Sequence, residues 1–195
     1  MKKYISIFSL AILALLAVGF SSCGDDEVVP APAPVQKHYI SYKLALSDAF
    51  FEFADFTINV DSVGVKKSYP IVASLHSDSI GTYYDEDKDE DVTVGGRSLQ
   101  IPAIEYENEQ PIHVSVSYKL TEAGKALIAN ASEEDSKLFR FYLKAGDCTK
   151  SGMFSGTAFG WNQGGYNSVK LFEGHVNAVI SVCSVDFPLD EEKYK

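Results

Sequence analysis

Basic residues are scarce in this chain: 17 Lys and Arg stand against 27 Asp and Glu, for a formal charge of −10. The only arginines are Arg97 and Arg140. That balance excludes nucleic acid as a partner, because binding phosphates needs the opposite sign. There is no P-loop and no dinucleotide fingerprint. The histidines, His38, His76, His113 and His175, include no pair at i, i+2 or i, i+4, so the spacing of a zinc site is missing. Gly152-Met153-Phe154-Ser155-Gly156 reads G-x-x-S-G, out of register with a nucleophile elbow, and no pair of carboxylates is singled out for glycoside hydrolysis. No solenoid-length repeat is visible. These absences predict a protein that is not an enzyme and carries no cofactor.

What is present is apolar and aromatic. Twelve Phe and eleven Tyr in 195 residues, 46% of them apolar or aromatic, exclude a chain disordered throughout. Ile40, Tyr42, Leu44 and Leu46 alternate with polar or small residues, the period of a half-buried strand. Phe56, Ile58 and Val60 repeat the pattern, Asp61-Ser62-Val63-Gly64 offers a turn, and Val65 onward reads as the return strand. Ile112, Val114, Val116, Tyr118 and Leu120 give the clearest strand, and Phe139, Phe141 and Leu143 another. Gly95-Gly96 predicts a hairpin between Val92–Val94 and Arg97–Ile101. Ser168 to Phe172 reads as a weaker strand, and Val176 to Phe187, apolar on both faces, as a central one. One short helix is expected after Thr121, with Gly124 weakening it. The sum predicts an all-β fold, an antiparallel β-sandwich that is immunoglobulin-like in the broad sense, with α+β as the alternative.

The N-terminus carries a separate message. Lys2 and Lys3 precede an uncharged run from Tyr4 to Phe20, and Ser21 and Ser22 lead into Cys23. A basic start, a short apolar stretch and a small-residue exit read as an export signal; the run of 17 residues is at the lower limit for a bilayer span. Phe20-Ser21-Ser22-Cys23 resembles the lipobox of bacterial lipoproteins, with Phe20 where that pattern usually has Leu. Gly24-Asp25-Asp26-Glu27 resembles the acidic export tag of Bacteroides-type surface lipoproteins. The resemblance implies that residues 1–22 are a signal peptide and that Cys23 is acylated. It further implies that the protein is anchored in the outer membrane with its body at the cell surface. Pro30, Pro32 and Pro34 mark residues 23–37 as an extended tether ahead of a domain over 38–195.

Three features are candidate sites. Cys148 and Cys183 would sit in an oxidising compartment, where a disulfide between them competes with two buried free thiols. Asp85, Asp87 and Asp89 have the spacing that begins an EF-hand calcium loop. Glu90 replaces its turn glycine, however, and Gly96 its bidentate Glu, so a solvated acidic loop is the competing reading. The stretch from Gly152 to Tyr166 is rich in Gly and aromatics; Trp161, the only Trp, stands beside Asn162 and Gln163. An apolar platform with convergent polar groups suits a sugar ring, and Trp161, Asn162, Gln163 and Tyr166 are the candidate ligand residues. The competing reading places Trp161 in the core.

A surface-anchored binding or accessory module, for polysaccharide or a partner surface protein, is the expected function. A fimbrial subunit is the alternative; many such subunits are cleaved after an Arg near the N-terminus, and no Arg lies between Cys23 and Val60. A hydrolase is the third class.

Overall fold

The computed structural model describes residues 37–107, 110–155 and 159–190, with backbone only for 159–168, 175 and 178. The chain divides into two units, Met1–Pro34 and Val35–Lys195. The first, which holds Cys23, the proline segment and the residues read above as an export signal, lies outside the described residues.

The second unit is an all-β antiparallel sandwich. Its larger sheet contains β1 (Lys37–Ser47), β4 (His76–Asp85), β5 (Glu90–Gln100), β6 (Ile104–Glu107), β8 (Ser136–Asp147) and β9 (Phe159–Ser168). The order is β4-β5-β1-β8-β9, with β6 continuing beside β1 where β5 leaves it. The smaller sheet is ordered β10 (Val185–Phe187), β7 (Ile112–Leu120), β2 (Ala54–Ser62) and β3 (Val65–Pro70). The turn between β2 and β3 is where it was predicted, with left-handed backbone at Val63 (φ 49°) and Gly64 (φ 80°).

Period-two patterning builds the core. Ile40, Tyr42, Leu44 and Leu46 of β1 are buried with Phe139, Phe141, Leu143 and Ala145 of β8. From the other sheet come Phe56, Ile58 and Val60 of β2 and Ile112, Val114 and Val116 of β7. Each fully buried side chain of this size contributes about 1.5–3 kcal/mol, so the alternation itself specifies which faces meet. Phe50, Phe53, Phe139 and Phe172 form an aromatic cluster, with Phe53 and Phe172 centroids 4.6 Å apart.

Among the described residues three helices occur where one was expected: α1 (Asp48–Phe51), α2 (Glu122–Asn130) and α3 (Phe172–Cys183). The α2 helix starts as predicted, Thr121 Oγ1 accepting the Gly124 N–H at 2.9 Å. Gly124 is required there, because a Cβ would collide with the Phe53 backbone, whose carbonyl accepts the Thr121 N–H. The central strand expected over Val176 to Phe187 is instead the body of α3 followed by β10. Phe172, Val176, Val179 and Cys183 recur at helical spacing and are the buried face; the apolar residues on both strand faces came from that period. Likewise the Ser168–Phe172 stretch is the end of β9, a 3-10 turn at Val169–Leu171 and the first residue of α3.

The hairpin expected at Gly95-Gly96 is absent; β5 runs straight through both residues. A side chain at Gly96 would meet the Leu46 carbonyl oxygen and Ile80 Cδ1, so this glycine serves close approach and not chain reversal. The hairpin turn is instead the acidic segment between β4 and β5.

Candidate binding face on the six-stranded sheet

The β9 strand pairs with β8 over ten consecutive positions, Ser136↔Ser168 to Ala145↔Phe159. It is the edge of the larger sheet. Register divides the four candidate ligand residues between two rows. Trp161 stands opposite Leu143 and Gln163 opposite Phe141, positions of the inward row. Asn162 stands opposite Tyr142 and Tyr166 opposite Leu138, on the alternate, outward row.

That outward row carries chemistry the sequence reading missed. On β8 it holds Arg140, Tyr142 and Lys144, all partly exposed, and on β1 it holds Lys43 directly opposite Lys144. Arg140 Cζ lies 3.9 Å from the centroid of the Tyr83 ring, and Lys144 Nζ lies 5.0 Å from that of Phe154. Ring faces position these cations without neutralising them. Among the described residues no carboxylate forms an ion pair with Lys43, Arg140 or Lys144, and Arg140 Nε is buried without a hydrogen-bond partner. At the far end of β1, Glu105 is held by Lys37 at 2.5 Å and Tyr39 at 3.0 Å, and those hydrogen bonds draw its carboxyl below the usual range. The readable signal was Arg140-x-Tyr142-x-Lys144, three polar-face positions of one strand.

The other candidates are placed differently. Asp85 Oδ1 accepts the Asp87 N–H at 3.2 Å, Lys88 lies 3.3 Å from Asp85 Oδ2, and the Tyr84 hydroxyl donates to Asp89. The three aspartates thus form a braced hairpin turn, and no cluster of His, Cys, Asp or Glu among the described residues is arranged to hold a metal. His76 pairs with Asp48 at 3.2 Å and His113 with Asp186 at 2.6 Å, both at the surface. A cavity of about 550 Å³ between α2 and the start of β8 is bordered by Glu52 and Lys137, which pair across 2.8 Å.

Cys148 and Cys183 are free thiols, which corrects the disulfide expectation. Cys148 follows the end of β8 and donates its N–H to the Tyr39 carbonyl, whereas Cys183 ends α3, its carbonyl accepting from the Tyr42 hydroxyl. Burial pushes the Cys183 thiol up to about 12.

No family model, curated protein or solved structure matches this chain. No helix among the described residues is long and apolar enough to cross a membrane.

Proposed function

We propose that this chain is an outer-membrane lipoprotein, acylated at Cys23 and exposed at the cell surface, whose sandwich domain binds polysaccharide without catalysing a reaction on it. The observation that carries the binding reading is the outward row of β8, next to the edge strand β9, which sets a partly exposed Tyr142 between Arg140 and Lys144. Asn162 and Tyr166 belong to that row by register; Trp161 and Gln163 do not. The anchor reading is supported by the apolar run ending at Cys23 and the acidic residues that follow it. Several acyl chains on one residue supply the multiple signals that stable attachment needs.

Two experiments test it. Cys23→Ala should abolish lipid labelling and release the chain from the membrane fraction, and unchanged fractionation would overturn the anchor. The lipidated protein, purified in detergent, should be retarded in native gels containing dextran, polygalacturonate or dextran sulfate, with Tyr142→Ala reducing the retardation. Unretarded migration through all three would overturn the polysaccharide reading.

A further inference from the structure

The outward face carries an electrostatic arrangement that the sandwich does not need for its own stability. Lys43 and Lys144 are cross-strand partners on one face, and like charges directly opposite one another destabilise a sheet. Arg140 lies one position of the row from Tyr142 and two from Lys144, so the backbone positions of the two β8 cations are about 13 Å apart with Tyr142 between them. On the far side, the β9 residues in register with Lys144 and Arg140 are Gly160 and Gly164, which have no side chains to screen them. Three cations, without carboxylate partners among the described residues, are gathered on one face of a protein whose net charge is −10.

We infer that the polysaccharide taken by this face is acidic, bearing carboxylate or sulfate groups that Lys43, Arg140 and Lys144 engage while a sugar ring lies against Tyr142. The inference rests on the polysaccharide reading above and adds the charge of the ligand. Arg140, stacked on the Tyr83 ring with its Nε buried, adds a fixed positive charge to the row; Lys43 and Lys144 act as point charges whose mutual repulsion a bound anion removes. Binding is then strongly salt-dependent, because the site lies at the surface. The acidic remainder of the protein keeps other polyanions from binding elsewhere.

Affinity gel electrophoresis of the lipidated protein in dextran, dextran sulfate and polygalacturonate tests this. Retardation should be far stronger in one or both acidic polymers than in dextran, and should fall as salt rises. A response to dextran sulfate alone assigns sulfate, and a response to polygalacturonate alone assigns carboxylate. Lys43→Gln and Lys144→Gln should each weaken binding about tenfold while leaving the melting temperature unchanged or raised, since each relieves the like-charge pair. A merely structural role would lower binding and melting temperature together, which overturns the inference. Equal retardation in dextran and the acidic polymers, or retardation that these variants leave unchanged, overturns it too and leaves polysaccharide binding standing. Migration unretarded in every gel removes both readings.

Discussion

The Tyr42 hydroxyl donates a 2.8 Å hydrogen bond to the backbone carbonyl of Cys183, a buried link between residues 141 positions apart. It satisfies one of the carbonyls that the last turn of a helix leaves without an intrahelical partner. Tyr42 therefore does two things: its ring fills the core below the large sheet, and its hydroxyl fixes the end of α3. Tyr42→Phe keeps the ring and strands the carbonyl, so it should lower stability by about 1–3 kcal/mol. Urea denaturation would show this as a lower midpoint at constant slope.

The thiols give a second prediction. Denatured without reductant, the protein should take up alkylating reagent at both Cys148 and Cys183 by peptide mapping, and recovery of a linked peptide would contradict the structure. In the folded protein Cys183 should react far more slowly, because burial holds the thiol neutral up to about 12. The raised value favours the folded state fully below the ordinary thiol value of 9.0, and that advantage is lost as pH climbs from there towards about 12. The stability gap between wild type and Cys183→Ala should accordingly narrow above pH 9.0.

Two glycines in helices should respond with opposite sign. At Gly174, where a Cβ meets nothing, Ala should stabilise α3 by roughly 0.5–1 kcal/mol. At Gly124 the same helix preference is outweighed by collision with the Phe53 backbone, and Gly124→Ala should lower the melting temperature by several degrees. Thermal melts of the two variants side by side separate propensity from packing.

Register predicts the behaviour of the only tryptophan. Trp161 occupies the row of Leu143, so Trp161→Ala should cost about 3–5 kcal/mol. Tyr166→Ala, on the alternate row, should stay within about 1 kcal/mol. A melt in which Trp161→Ala matches wild type would reverse the row assignment.

The strands that were legible in the sequence are those whose residue types alternate. Ile112 to Leu120 alternates because one side meets the core and the other does not. Ile40 to Leu46 alternates large apolar with small or polar residues, although Ser41 and Ala45 are buried as well. Val176 to Cys183 defeated the same rule, since a helix with an apolar stripe and further apolar residues beside it resembles a strand buried on both sides. Gly95 and Gly96 misled in another way. Turn glycines and close-approach glycines look alike until the facing backbone, here Leu46, is known. The candidate site was half visible: its glycines and aromatics stood out in one stretch, whereas Lys43 and Lys144 become partners only through a pairing 101 residues apart in register.

The position of β1 has a mechanical consequence. The folded unit's first described strand is also a central one, bonded to β5 and β6 on one side and β8 on the other. Tension applied at Lys37 along the strand would strain both ladders as whole rows, not peel bonds singly from an edge. Lys43 lies on that same strand, six residues on, about 20 Å away. In a chain held from its N-terminal side and gripping a polymer at Lys43, the load path runs almost entirely within β1.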